Sequence, residues 1–511
     1  MIALAPDAPR SILAAMTRSR RLLAPLALVA TMLVAPLAAA QEAPRPNPTA
    51  LPPDVAAKLK VDTADDTLSY TARVEQTPLY DPKGEKVAEI VVTSYTLERV
   101  DPNTRPITYV FNGGPGASSA WLNFGGLGPK RLPFGKEGSA PSDLPNLVDN
   151  HETWLAFTDL VFVDPVGTGY SRAVGGSDES RRSFYSVEGD VETLSRVVAK
   201  NLAARDRLKS PVYLAGESYG GFRVPRIARA LQTRDGVGVR GLLAISPVLD
   251  FSIRQDEGVS PLPWVNALPS LAATKRESDG KPAARSDLAE VEAYATGPFL
   301  ADLLRGPRDR EAVERISSRV ADLTGLDPDF VRRLGGRVDI RSFVREMRRK
   351  EGKVGSLYDA NVTAFDPDPS AARSNFDDPV LDGARAPLTR AAVDYYAREL
   401  GYKVDRRYEL LSDEVNRQWR WGSGQSAPES VGALREALAL DPKLRVIVAH
   451  GATDLVTPYM ESKMALDQLP AFGDPDRARL LVYPGGHMFY SRDASRAAFA
   501  KDVKAFYDAG K

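Results

Sequence analysis

No cysteine occurs anywhere in the 511 residues. That absence excludes disulfides, thiol nucleophiles and every cysteine-ligated metal site, so an exported chain of this sequence must rely on its core, which its length permits. Histidine is almost as scarce, at three residues, and each is therefore worth following. Neither sign of charge is in excess: 67 Lys and Arg stand against 67 Asp and Glu. Such a balance gives no electrostatic reason to expect nucleic acid or an anionic membrane as partner. No Gly-rich phosphate loop with its lysine is present, and no cofactor is expected. Asp366, Asp368 and Asp378 lie close in sequence but lack the Gly and closing Glu of an EF-hand; a solvated loop is expected there, and no metal site.

Long apolar runs are missing as well, with one exception. Arg18, Arg20 and Arg21 precede an apolar stretch at 22–37, and Ala38-Ala39-Ala40 offers a small-residue cleavage site before Gln41. Pro25 and Pro36 interrupt the stretch and no stop-transfer charges follow, so residues 1–40 read as a signal peptide. Met16 is a possible alternative start, and the paired Arg20-Arg21 leaves either the general or the twin-arginine route open. Cleavage leaves 63 basic against 66 acidic residues, and the mature chain is expected outside the cytoplasm, periplasmic or secreted, without a membrane anchor.

What is present reads as a soluble enzyme-sized protein, 43% hydrophobic and 26% charged. Residues 41–58, rich in Pro and Ala, look like an extended leader with no packing role. Alternation over 62–98, with a turn at 80–84, predicts antiparallel strands. From 105 onward the texture changes to short continuous apolar runs at 107–111, 160–163, 212–215, 242–245, 444–449 and 480–483. Runs of this kind suit strands buried on both faces of a parallel sheet. Val187, Val191, Leu194, Val198 and Leu202 line one face of a helix between two of them. The alternation predicts an α/β fold, mostly parallel, with helices on both faces. Between 251 and 440 the strand pattern gives way to helix-like segments at 288–304, 309–323, 330–334 and 391–400. Residues 59–250 and 441–511 are thus expected to form the core, and 251–440 a helical cap over the carboxyl edge of the strands. A last helix at 494–506 is expected to pack through Ala498, Val503 and Phe506.

The chemistry centres on residues 212–230. An apolar run ends in Gly216-Glu217-Ser218-Tyr219-Gly220, and a helical pattern through Phe222, Ile227 and Leu231 begins at once. This is the strand–turn–helix setting of a nucleophile elbow, in which the serine takes strained backbone angles and the glycines remove clashing side chains. A serine needs a base, and the base needs an orienting acid. In the α/β-hydrolase arrangement these follow in the order Ser, Asp, His. His487, directly after the run at 480–483, fits as base; Asp454, on the loop after 444–449, fits as acid. Asp467, Asp474 and Asp476 fall in surface-like segments, and His450 reads as structural. An oxyanion hole is expected from the amides of Gly114, in Asn112-Gly113-Gly114-Pro115-Gly116, and of Tyr219.

Five segments in order, 112–119 (Asn-Gly-Gly-Pro-Gly-Ala-Ser-Ser), 164–171 (Asp-Pro-Val-Gly-Thr-Gly-Tyr-Ser), 216–221 (Gly-Glu-Ser-Tyr-Gly-Gly), the Asp454 segment and 485–488 (Gly-Gly-His-Met), resemble the serine carboxypeptidases. The resemblance implies an α/β hydrolase that removes single residues from peptide C-termini, usually at acidic pH. It further implies that Asn112, Gly113 and Glu217 bind the substrate carboxylate, together with a second Glu that should fall at Gly126. That Glu is absent, and Ala117 stands where many relatives carry Cys. Two readings remain open: a carboxypeptidase acting on peptide substrates, and an esterase or acyltransferase-like hydrolase with the same triad and no need of a free carboxylate.

Overall fold

A computed structural model of the chain describes residues 50–510 except 136–138, 140–145, 176, 255–258, 373–374, 423 and 425. The expected export signal lies outside the described residues, as does the first half of the leader, 41–49. The leader's end is a correction: residues 55–58, read as unpacked, open the edge strand β1 (Val55–Asp62), which pairs antiparallel with β2 (Thr67–Tyr80). Ala57, Leu59 and Val61 point to one face and alternate with exposed neighbours, a period-2 pattern that the Ala and Pro content nearby obscured.

After β3 (Lys86–Leu97) come β4 (Ile107–Phe111), β5 (Asp159–Val163), β6 (Val212–Glu217), β7 (Gly241–Ile245), β8 (Arg445–Gly451) and β9 (Ala478–Tyr483). They lie in the order β1-β2-β3-β5-β4-β6-β7-β8-β9, and a two-residue strand, Arg172–Ala173, pairs beside β3. The first four neighbours in that order pair antiparallel; from β5 to β9 every pairing is parallel. Strands β4 to β7 are buried along their whole length, as their unbroken apolar runs require.

Alternate residues of those strands feed two separate cores. Val110, Leu160, Phe162, Ala215, Leu243 and Ile447 belong to one, against the C-terminal helix and residues 384–402. Tyr109, Val161, Val163, Leu214, Leu242 and Val448 belong to the other, against the helices Val187–Ala204, Tyr219–Ala230 and Val431–Leu440. Each such side chain stabilises the fold by about 1.5–3 kcal/mol on leaving water. The sheet is thus covered on both sides, the α/β-hydrolase architecture. The helix at Val187–Ala204 buries all five residues of its predicted stripe, and Ser186 caps it by accepting from the Gly189 N–H.

The last helix, Asp493–Asp508, differs from the reading in phase. Phe499, Val503 and Tyr507 are buried, whereas Ala498 is exposed and Phe506 half-buried. The buried set repeats every four residues, which large aromatics make the stronger stripe.

Residues 262–346 form a third core of their own around Leu268, Leu271, Phe299, Ile316 and Phe343. The helix Leu262–Ser278 was not foreseen; its apolar residues run nearly all round, with Pro269 inside, so no stripe stands out. Two segments of the 251–440 stretch reach the carboxyl ends of the strands. Residues 357–360 pair with the loops after β8 and β9, and 410–412 pair with the loop after β4. Asp366 and Asp378 are not solvated: Asp366 is buried against Arg345, and Asp378 accepts from the N–H groups of Leu357, Val380 and Leu381. Asp368 is exposed. Among the described residues no helix is long and apolar enough to cross a membrane.

Candidate active site

Strand β6 delivers Glu217 and stops, and the helix Tyr219–Ala230 begins with Ser218 as its N-cap. Ser218 has φ 58° and ψ −122°, a region of strain for a residue with a Cβ, costing on the order of 1–3 kcal/mol. The flanking glycines make it possible. A Cβ on Gly216 would sit 2.2 Å from the Gly220 carbonyl oxygen, and one on Gly220 would sit 2.4 Å from that of Phe111. The Ser218 N–H donates to the Ile245 carbonyl at 2.9 Å, and its own carbonyl accepts from Gly221 and Phe222. Ser218 is half-buried and its hydroxyl makes no hydrogen bond to the described residues, leaving the oxygen open to a substrate.

His487 and Asp454 come from the loops after β9 and β8, the adjacent pair at the sheet's far side. His487 Nδ1 lies 2.8 Å from Asp454 Oδ2, and both residues are buried. Asp454 is held rigidly: the N–H groups of Val456 and Thr457 donate to Oδ1 at 2.8 and 2.9 Å, and the Thr457 hydroxyl donates to Oδ2 at 2.6 Å. Burial by itself would lower the pKa of His487, but the Asp454 carboxylate outweighs it and the imidazole stays raised above its ordinary range. The loop that presents His487 needs Gly486, because a Cβ there would lie 1.9 Å from the Tyr358 carbonyl oxygen. That same carbonyl accepts from the His487 N–H at 2.5 Å, and the Tyr358 ring packs edge-on against the imidazole.

The loop after β4 lies directly against the elbow. A Cβ on Gly113 would meet the Glu217 carbonyl oxygen at 2.6 Å, the Tyr219 nitrogen at 2.7 Å and Ser218 Cβ at 2.8 Å. Gly114 follows with φ 97°. The amides of Gly113, Gly114 and Tyr219 donate to no group among the described residues. Fully buried Arg223 reaches back from the helix to donate to the Asn112 carbonyl and is paired with Asp190 at 2.6 Å. Asp164 fixes the other end of the loop, accepting from the Ser119 N–H at 2.8 Å and hydroxyl at 2.6 Å. Gly113→Ala is expected to lower kcat/KM by about 10²–10³-fold, since backbone atoms of the elbow must move to admit the methyl. Steady-state rates beside an unchanged circular dichroism spectrum check this.

Glu217 and Asn112 do meet. Asn112 Nδ2 donates to Glu217 Oε2 at 2.5 Å, and Asn112 Oδ1 accepts from the Leu122 N–H at 3.0 Å. The other oxygen, Oε1, accepts from the Tyr490 hydroxyl at 2.5 Å. Burial pushes the Glu217 pKa up to about 7, against the opposing pull of His487, Tyr490 and Asn112. The carboxyl next to Ser218 is therefore held well above the usual carboxylate range.

The remaining candidates fall elsewhere. His151 is exposed and reaches the Asp62 carbonyl at 2.9 Å. His450 lies within β8, bonded through Nε2 to Ser462 at 2.8 Å, its pKa driven down to about 4 by burial. Asp467, Asp474 and Asp476 are exposed. Sequence reasoning missed Tyr490, Tyr358, Thr457 and Arg223. Tyr490 and Thr457 stand three residues after His487 and Asp454, and Arg223 five after Ser218, so nearness in sequence was the available signal for these; Tyr358 is brought in by tertiary packing alone.

A family model described as serine carboxypeptidase matches residues 94–257. Serine carboxypeptidase-like 36 of Arabidopsis thaliana is 31% identical over 169 residues, 32% of this chain and 33% of the relative. Pheromone-processing carboxypeptidase KEX1 of Fusarium vanettenii is 28% identical over 168 residues, 32% of this chain and 24% of the relative. The chain thus matches a third or less of the length of these two relatives. The crystal structure of a prohormone-processing carboxypeptidase from Saccharomyces cerevisiae superposes with a TM-score of 0.50 at 16% identity, covering 91% of this chain and 92% of that one. That likeness extends the shared fold over nearly the whole chain.

Proposed function

We propose that this chain is a member of the serine carboxypeptidase family, whose model matches residues 94–257, and that it is a serine-type exopeptidase releasing the C-terminal residue of peptides through an acyl-enzyme on Ser218. The observation that carries the reading is the buried Glu217 carboxyl, fixed by Asn112 and Tyr490 immediately before the nucleophile and poised to be neutral below about pH 7. A hydrolase acting on any acyl group has no use for such a group. One that must recognise a free carboxylate does, because a protonated carboxyl can donate to it whereas an ionised one repels it.

In this reading Asn112, the Gly113 amide and protonated Glu217 hold the substrate's terminal carboxylate. Ser218 Oγ attacks the adjacent peptide carbonyl and its proton passes to His487 Nε2, while Nδ1–H stays on Asp454. The carbonyl oxygen becomes an oxyanion taken up by the Gly114 and Tyr219 amides, the latter at a helix N-terminus whose dipole favours negative charge. Collapse transfers the proton to the leaving amine and frees the amino acid; water then repeats the sequence and returns Ser218. The N-terminal pattern at 1–40 supports export, periplasmic or beyond.

The pH dependence follows from two opposite demands. Chemistry needs His487 neutral, so kcat falls as pH drops below its raised pKa. Carboxylate binding needs Glu217 protonated, so KM rises as pH climbs through about 7. The two groups also act on one another: an ionised Glu217 raises His487, and protonating Glu217 relieves it, which extends the competent state to lower pH. The expected profile of kcat/KM is a narrow bell, its acidic limb set by the raised His487 and its alkaline limb, near pH 7, by Glu217.

The test compares an N-blocked dipeptide with its C-terminal amide from pH 4 to 8. A preference of roughly 10- to 150-fold for the free acid, lost as pH rises past 7, is expected, since a hydrogen-bonded charged group contributes about 1.5–3 kcal/mol. Equal rates would refute exopeptidase recognition and leave the esterase or acyltransferase-like reading with the same triad.

A further inference from the structure

We infer that Tyr490 is a positioning residue that fixes the orientation of the Glu217 carboxyl and sets the pH range over which a free substrate carboxylate is accepted. The inference rests on the exopeptidase reading for its consequence, but not for its geometry.

Both oxygens of Glu217 are engaged from opposite sides, Oε2 by Asn112 and Oε1 by the Tyr490 hydroxyl, each at 2.5 Å. Two donors hold the carboxyl plane and leave one lone-pair site free on each oxygen, which limits where its proton, when it has one, can point. Tyr490 is 1% exposed. Burial keeps its phenol proton far past the ordinary range, so it is a permanent donor and never a second charge. Its ring lies on the backbone of Gly125 and Gly126: a Cβ at these positions would come within 2.8 Å of Cε2 and 2.9 Å of Cδ2. The two glycines leave the space that Tyr490 fills, and the Tyr490 carbonyl is in turn held by buried Arg496. The place beside Glu217 that a side chain at position 126 would compete for is taken by a neutral phenol.

The charged and titratable groups that face Glu217 are few. His487 and Asp454 lie on the loops after β9 and β8, Tyr358 approaches from the segment between β7 and β8, and Tyr490 follows β9. Burial raises the affinity of Glu217 for its proton, Asp454 adds to that, and His487, Tyr490 and Asn112 oppose it. A donor to the carboxylate favours the ionised form. Removing the Tyr490 hydroxyl must therefore raise the Glu217 pKa and move the loss of carboxylate binding to higher pH. A partner that itself ionised would do the reverse.

The experiment measures KM and kcat for wild type and Tyr490→Phe from pH 5 to 9, with an N-blocked dipeptide and its C-terminal amide. For the free acid, the pH at which KM climbs is expected to move up by about one unit in Tyr490→Phe, a tenfold change in proton affinity. The acidic limb on the amide follows His487 and is expected to move little, and only downward, because a Glu217 that stays protonated relieves the histidine. An unmoved KM limb, or equal shifts on both substrates, overturns the inference and leaves Tyr490 as packing. A second readout needs no turnover: infrared titration of the protonated carboxyl band that Glu217→Gln abolishes, recorded in the Ser218→Ala background with and without Tyr490→Phe. There too the midpoint must rise; if it stays put or falls, the inference fails. Should wild type show no preference for the free acid, the exopeptidase reading fails while the infrared titration still decides the part played by Tyr490.

Discussion

Ser218→Ala should remove essentially all hydrolysis, on the order of 10⁶-fold in kcat, from both the free-acid peptide and its amide. The size follows from the position of the side chain. Ser218 stands in a strained turn whose only evident use is to project the hydroxyl, with φ 58° held by Gly216 and Gly220 and by the bond to Ile245. The two unengaged amides of Gly114 and Tyr219 would remain, so a residual rate above water is expected while the covalent route is gone. Replacing hydroxyl by hydrogen keeps the Cβ, and with it the backbone strain, and leaves packing unaffected, so the melting temperature should stay the same. Retention of more than about one part in a hundred of the wild-type rate would remove Ser218 from the role of nucleophile.

Asp454→Asn is expected to lower kcat by about 10⁴-fold with little change in KM. Asp454 is fully buried and every hydrogen bond around it points inward, from the Val456 and Thr457 amides, the Thr457 hydroxyl and His487 Nδ1. An asparagine must present an NH₂ to one of those donors. If that NH₂ faces His487, Nδ1 becomes the acceptor and the proton moves to Nε2, the atom that has to receive the serine proton. The charge effect is separable from the tautomer effect by pH. Asp454 is the chief cause that raises the His487 pKa against burial, so without it the imidazole pKa falls. The acidic limb of the residual activity should therefore move to lower pH. A drop below tenfold, or a limb that moves upward, would show that Asp454 neither orients nor stabilises this histidine.

How much of this could be read from residue order alone varies with the kind of interaction. The buried strands were legible because a strand covered on both faces must be apolar at every position, and β4 begins and ends where its apolar run does. The helix at Val187–Ala204 was legible because one stripe and a Ser cap are local features. The last helix was placed but rotated: Ala498, Val503 and Phe506 fit helical spacing nearly as well as Phe499, Val503 and Tyr507, and only the shape of the core chose between them. The first strand was hidden by its Ala- and Pro-rich surroundings, and pairing with β2 alone makes it a strand. The aspartates at 366 and 378 were misjudged for a related cause: Arg345 and the Leu357 amide reach them from other turns of the chain, while the Val380 and Leu381 amides that complete the hold on Asp378 are a local cap.

By itself the sequence determined the α/β layout, the glycines without which Ser218 could not take its angles, and the order in which Ser218, Asp454 and His487 follow the strands. These are properties of spacing along the chain and of what a backbone can adopt locally. Tertiary structure alone decided what surrounds Glu217. Its neighbour Asn112 lies 105 residues before it and Tyr490 273 residues after. The glycine at 126 read as the loss of a partner, whereas in the fold it is the room that lets a tyrosine reach the same carboxyl. A hydrogen bond acts over about 3 Å of space whatever the separation in sequence, and only the packed sheet brings the end of β6 and the segments after β4 and β9 within that distance.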